Sequence, residues 1–232
     1  PRDVGAAVAA YGVGVALAYE YYTASKAQQL QHTCDSRRHT FRNLACHYDD
    51  KVAGEETSSG IETMREEMLR NRARGRVLEL ATGTARNLEY YAPEHLKSLV
   101  LVDNCTEMLR VAAQKVAELR AAREAPGFLS EVTLVVADAA ALPFPTGSFE
   151  TVVDTFGLCS FEEPSKAVDE MARVATPGGA VLLLEHGVSY FAPLRWWQAH
   201  RHGTHVHSWG CYWDRDIESI VRGCASLEVK SV

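Results

Sequence analysis

At 232 residues, with 47% apolar and 23% charged residues, the chain has room for one substantial folded domain plus an appendage, and too little for two full domains. A formal charge of -6 and a pI near 5.9 argue against a surface built mainly to hold nucleic acid, and the run Arg70, Arg72, Arg74 and Arg76 reads as the solvated end of a helix. Cys34, Cys46, Cys105, Cys159, Cys211 and Cys224 share no Cys-x-x-Cys spacing, which points to reduced thiols rather than a disulfide framework or a zinc site.

The chain opens on an uncharged stretch, Val4 to Tyr19, rich in Ala, Val and Gly. A membrane-spanning helix needs about 20 apolar residues, so residues 1–22 are expected to form an apolar helix embedded in a bilayer or in a partner protein, with Tyr19, Tyr21 and Tyr22 at its interface. Residues 23–60 are polar and read as a linker: a helix, then a loop through Gly54 to the Ser58-Ser59-Gly60 turn signal. From Ile61 to Arg72 a helical spacing puts Ile61, Met64, Met68 and Leu69 on one face.

After Gly75 strands and helices alternate, the signature of a parallel sheet covered on both faces. Predicted strands are Val77–Leu80, Ser98–Val102, Val132–Val136, Thr151–Val153 and Ala180–Glu185. Predicted helices cover Thr106 to about Ala122, Pro164–Ala175 and Asp216 to about Cys224. Leu227–Val232 reads as the start of a sixth strand. The fold expected for residues 61–232 is α/β, a doubly wound, mostly parallel sheet. Between Trp196 and Trp213 lie His200, His202, His205, His207 and Trp209; this segment is expected to cap a pocket or grip a partner, because its composition suits neither a central strand nor a regular helix. No metal is expected there, since a metal site needs a defined ligand geometry and usually a carboxylate or thiolate partner.

In such sheets ligands bind beyond the carboxyl ends of the strands. The first predicted strand carries Glu79 and runs into the small-residue turn Ala81-Thr82-Gly83-Thr84-Ala85, whose backbone N–H groups can approach a carboxylate. The second ends at Asp103, followed by Asn104, close to the ~20-residue spacing at which an acid grips ribose hydroxyls. The third is followed by Asp138 and Ala139, where an acid can accept from an adenine amino group. Any one of these acids suits a turn cap; three in order point to a nucleoside-containing ligand.

Val77-Leu78-Glu79-Leu80-Ala81-Thr82-Gly83-Thr84 resembles motif I of class I methyltransferases, the Rossmann-like S-adenosylmethionine-dependent family. Ala137 to Pro145 with Ser148 to Val153, then Thr176-Pro177-Gly178-Gly179 and Leu184-Glu185-His186-Gly187, resemble its ubiquinone/menaquinone-biosynthesis group. Gly210-Cys211 and Asp214-Arg215-Asp216-Ile217 are similar to a membrane-anchored mitochondrial branch. The likeness spans roughly Tyr48 to Ile217. It implies S-adenosylmethionine held by Glu79, by the loop Ala81, Thr82 and Gly83, by Asp103 and Asn104, and by Asp138 and Ala139. Thr155 and Phe156 would line the path to the acceptor, and His186 is a candidate general base.

The resemblance further implies a small lipophilic acceptor and a mitochondrial, inner-membrane-associated site of action, with residues 1–22 and 196–213 as contacts to membrane or complex. Two departures stand out. Of the usual Gly-x-Gly-x-Gly only Gly83 remains, with Ala81 and Ala85 flanking it, and the expected closing antiparallel hairpin is not reached, so that either the gene product is longer or the sheet has an unprotected edge. They support an alternative, a non-catalytic assembly subunit of a mitochondrial complex. Asp154-Thr155-Phe156-Gly157 stands where an Asn/Asp-Pro-Pro-aromatic motif would mark methylation of nucleobase amines, and Cys159 reads as a core thiol.

Overall fold

The computed structural model describes residues 34–121 and 131–230. Five strands, β1 (Gly75–Leu80), β2 (Leu96–Asp103), β3 (Val132–Val136), β4 (Phe149–Thr155) and β5 (Ala175–Leu184), form one parallel sheet in the order β3-β2-β1-β4-β5. The chain steps outward from β1 to β3 and then returns to the other side of β1 at β4. The strand order therefore reverses at β1, and a crevice opens at the carboxyl edge there.

The helices are α1 (Cys34–Leu44), α2 (Tyr48–Ser59), α3 (Ile61–Arg72), α4 (Thr106–Ala121), α5 (Pro164–Val174), α6 (Ala192–Trp209) and α7 (Ile217–Arg222). Two apolar layers flank the sheet. On one face Val77, Leu99, Leu101 and Val153 pack with Leu69 of α3 and with Ala112 and Val116 of α4. On the other, Leu78, Leu80 and Val152 pack with α5 and with Ile217, Ile220 and Val221. Burial on both faces is why β1 reads as a nearly continuous apolar run. In α5, Ala167, Val168, Met171 and Val174 are all fully buried at helical spacing. Burying a side chain such as Val168 or Met171 contributes about 1.5–3 kcal/mol.

Several expectations are corrected. The stretch from Tyr48 to Ser59 is a helix that runs through Gly54; the Ser-Ser-Gly signal marks its end, where Gly60 at φ 75° donates its N–H to Glu56 and Thr57 carbonyls. In α3 Met64 is 56% exposed, and Arg65 takes the inward position between Ile61 and Leu69. The segment Trp196–Trp213, expected to suit neither a central strand nor a regular helix, is helical as far as Trp209: Ala192–Trp209 form an 18-residue helix with Pro193 in its first turn and Gly210 as its left-handed cap. The sixth strand is absent among the described residues: Ala225 to Lys230 carry no strand pairing, because Leu227 packs into the α5–α7 layer instead. The expected apolar N-terminal helix lies outside the described residues, and no described helix is long and apolar enough to cross a membrane.

Candidate functional site

After β1 the backbone turns left-handed at alternate residues: Ala81 at φ 46°, Gly83 at 55° and Ala85 at 59°. An alanine in this region costs on the order of 1 kcal/mol. The turn is held by Thr82 N–H donating to Val102 O at 3.0 Å and by Ala85 N–H donating to Thr82 O at 2.9 Å. A side chain at Gly83 would meet only Ala81 O, 4.0 Å away, so this stretch of backbone faces open space.

That space is a cleft at the carboxyl edge of the sheet, with about 1160 Å³ empty when its mouth is counted. Asp103 stands at its side. Its Oδ2 accepts from Gly83 N–H and its Oδ1 from Cys105 N–H, both at 2.8 Å. Burial pushes this carboxyl up, while those backbone N–H groups favour its charged form. Each oxygen retains acceptor capacity, which suits a pair of vicinal hydroxyls. Asn104, Asp138 and Ala139 also line the cleft; Asp138 is exposed at the mouth, its Oδ1 accepting from Ala140 N–H at 2.9 Å. The structure thus brings Ala81, Thr82, Gly83, Asp103, Asn104, Asp138, Ala139 and Thr155 around one cavity.

Glu79 is not among them. Only 1% exposed, it lies beneath the loop on the Val77 face, accepting from Thr82 Oγ1 at 2.8 Å and from Tyr91 Oη at 2.6 Å. Burial pushes its carboxyl above the usual range, against those two hydrogen bonds. It acts as a brace for the loop.

The deep end of the cleft holds groups that strand-end reasoning missed. Arg65, 4% exposed, donates to Glu56 Oε1 and Asn87 Oδ1 at 2.5 Å each, and to Thr155 Oγ1 at 3.2 Å. Arg86 reaches the other oxygen of Glu56 at 2.6 Å. Arg65 Nε has no partner. Tyr48 and Glu56 come from α2, so residues expected in the linker form one wall of the cleft. The missed signal was a charged residue at an apolar position of α3.

Behind this wall lies a second polar cluster. Phe156, at φ 58°, lines the cleft and places its ring edge-on to His186, centroids 5.5 Å apart. His186 does not line the cleft; its Nε2 lies 3.5 Å from Cys211 Sγ. Gly157 and Leu158 N–H groups donate to Glu185 Oε1, and Asp154 Oδ2 accepts from Leu158 N–H. Burial pushes both carboxyls well up, and the charge of Glu185 adds to the effect on Asp154. No residue of α6 lines the cleft. Gln198 pins that helix to Gly187 O and Trp213 O, while Trp196 and Trp197 remain exposed.

A family profile described as a methyltransferase domain matches residues 78–183. Methyltransferase OMS1, mitochondrial, of Saccharomyces cerevisiae is 25% identical over 189 residues, covering 78% of this chain and 40% of the yeast protein, so the chain spans well under half of that relative's length. The ubiquinone/menaquinone biosynthesis C-methyltransferase UbiE of Enterobacter sp. (strain 638) is 30% identical over 182 residues, covering 76% of this chain and 67% of the relative. A solved SAM-dependent methyltransferase from Thermotoga maritima superposes with a TM-score of 0.58 at 17% identity, covering 80% of this chain and 79% of that one, a likeness of fold. With the strand order, the loop and the two matching relatives in agreement, the chain belongs to the class I S-adenosylmethionine-dependent methyltransferases, in the group that includes the ubiquinone and menaquinone enzymes.

Proposed function

We propose that the chain transfers a methyl group from S-adenosylmethionine to a small lipophilic acceptor. The observation that carries this reading is Asp103, latched to Gly83 N–H across the β1 loop with acceptor capacity turned to the cleft. The residues fit the cofactor. Asp103 and Asn104 take the ribose hydroxyls, and Asp138 with Ala139 takes the adenine end. The open backbone at Ala81, Thr82 and Gly83 takes the methionine end, where the buried Arg65 complements its carboxylate. Glu79 supports the loop from below rather than touching the ligand.

When bound, the cofactor supplies a methyl group on a sulfonium, a good leaving group in an in-line displacement. The chain's contribution is to align the acceptor and exclude water. Thr155 and Phe156, at the end of β4, form the wall nearest the acceptor side. The names of the yeast and Enterobacter relatives support a mitochondrial setting and a quinone-like acceptor. The apolar residues 1–22 support attachment to an inner membrane or to a complex, with the exposed Trp196 and Trp197 as a further contact.

The test is calorimetry with S-adenosylmethionine and S-adenosylhomocysteine on the native chain and on Asp103→Ala. Loss of the paired ribose hydrogen bonds is expected to cost about 1.5–3 kcal/mol, tenfold or more in affinity. A native chain with no heat of binding at millimolar cofactor would replace this reading with that of an assembly subunit.

A further inference from the structure

Three side chains that the cleft does not use converge behind its wall. Cys159 Sγ, a ring nitrogen of His186 and Cys211 Sγ all lie within 4.8 Å of one another. Cys211 Sγ and His186 Nε2 are 3.5 Å apart. In a tetrahedral zinc site with Zn–S near 2.3 Å and Zn–N near 2.0–2.1 Å, neighbouring ligand atoms stand about 3.5–3.8 Å apart. The trio is therefore close to the span of such a site.

The backbone holds the trio in place from three directions. Cys159 follows β4, and its N–H donates to Glu185 Oε2 at 3.3 Å. His186 follows Glu185 at the end of β5. Cys211 follows the Gly210 cap of α6, and Tyr212 N–H donates to Cys159 O at 2.9 Å, which sets the two cysteines side by side. Arg215 locks the same loops, its Nη1 donating to Phe161 O at 2.8 Å. Cys159 and Cys211 are 1% and 7% exposed. A fourth group stands next to them: His205 Nε2 lies 3.1 Å from Cys211 Sγ, and the His205 ring stacks on Trp213 with centroids 4.1 Å apart. Such an N–H orients and stabilises a metal-bound thiolate.

We propose that Cys159, His186 and Cys211 form a zinc-binding site, with His205 donating to the Cys211 sulfur and water completing the coordination. Two thiolates and an imidazole are a ligand set that zinc takes with a fourth position open. Thiols merely filling a core need no imidazole between them, and His186 spends its Nε2 on Cys211 instead of on the cleft. The spacing of the sequence conceals the site, because 25 residues separate even His186 from Cys211. Its place in the fold gives it a consequence. Cys159 Sγ lies 3.3 Å from Phe156 O and 3.7 Å from Ser160 Oγ, and Phe156 and Ser160 line the cleft. Bound zinc fixes that wall from behind.

The experiment uses the full chain, reduced, incubated with Zn²⁺ and passed over a chelating resin. About one zinc per chain is expected to remain, and Co²⁺ in its place is expected to show a thiolate charge-transfer band with tetrahedral d–d absorption. Zinc is expected to slow alkylation of Cys159 and Cys211 at least tenfold while leaving the exposed Cys46 unchanged. Cys211→Ser is expected to lose the metal and Cys46→Ser to keep it. Should Cys211→Ser fail to fold, the alkylation pattern of the native chain decides. No retained zinc with equal alkylation in its presence and absence overturns the proposal, and so does a Cys159–Cys211 disulfide in the freshly reduced chain. None of these readouts depends on cofactor binding.

Discussion

The turn after β1 and the cluster behind the ends of β4 and β5 are both polar and largely closed to solvent, and they are built in opposite ways. The turn is one continuous stretch, Ala81 to Asn87, whose shape comes from left-handed backbone at Ala81, Gly83 and Ala85 and from N–H groups tied to Val102 O and Asp103. The cluster draws Asp154, Cys159, Glu185, His186 and Cys211 from three separate segments, and its shape comes from side chains accepting backbone N–H groups across them. The contiguous turn fixes its own shape with N–H groups of Thr82, Gly83 and Ala85 and still lines the cleft with Ala81, Thr82 and Gly83, whereas the convergent cluster spends its acceptors on holding loops together. The first arrangement suits a site that ligands enter and leave; the second suits a rigid wall beside it.

The two regions touch at Gly157, and the largest effect is expected there. A methyl added at this glycine would lie 2.0 Å from Asp154 Oδ1 and 2.8 Å from Ala81 Cβ, one atom from each region. Overpacking of this kind costs about 1–3 kcal/mol, occasionally more. At about 2–4 °C per kcal/mol for a chain of this size, the Tm of Gly157→Ala is expected to fall by on the order of 10 °C. Adding Asp154→Ala removes the closer obstacle, so the double variant is expected to be more stable than the sum of the two single losses allows. Additive losses in a thermal-melt cycle would mean that the two regions are mechanically independent.

The same contrast accounts for what could be read from the chain alone. The sheet was legible because β1, β2 and β4 are apolar runs bounded by turn residues. Asp103 and Asp138 were legible because a strand end is a fixed place in this fold. Arg65 and Glu56 were not: each sits at an inward helical position, where periodicity alone expects an apolar residue, and their burial is made tolerable by their mutual ion pair together with Arg86 on Glu56 and with Asn87 and Thr155 on Arg65. The segment Trp196–Trp213 read as irregular because its aromatics and histidines are poor helix formers. Its helix comes from the tertiary anchors of Gln198 and from Lys51, which stands 3.9 Å over the Trp209 ring. Cys159, His186 and Cys211 left no local pattern at all, as expected of residues that meet only through three loops.

A smaller effect is expected from Glu79, the brace beneath the turn. Its carboxyl is raised above its ordinary value, chiefly by burial, so the folded state favours the protonated form. The linkage gives stability that is fully present below the ordinary carboxylate range and is lost as pH rises through the higher folded value. Glu79→Gln keeps an acceptor for Thr82 or Tyr91 and removes the titration. Native stability relative to this variant is therefore expected to decline as pH rises from about 4 toward neutrality. Paired melts across that interval check the sign; a gap that widens with pH would show that Glu79 is held as an anion.

The smallest effects are expected within the turn itself, where the two alanines differ. Each gains on the order of 1 kcal/mol of relief when replaced by glycine, because the left-handed strain disappears. Each also gives back about 0.4–1 kcal/mol through the greater freedom of the unfolded chain. Ala85 is 2% exposed and packs with Leu88 and Tyr91, so Ala85→Gly additionally forfeits a buried methyl worth about 0.8 kcal/mol. Ala81 lines the cleft and loses less. Ala85→Gly is thus expected to lower stability by about 0.5 kcal/mol, one or two degrees in Tm, while Ala81→Gly stays within about 0.5 kcal/mol of the native chain. The cofactor separates them further. Of the two alanines only Ala81 lines the cavity, so any gain in S-adenosylhomocysteine affinity on restoring glycine belongs to Ala81→Gly alone. An equal gain at Ala85 would mean that the turn acts on the ligand through its overall backbone shape rather than through the residue that lines the cavity.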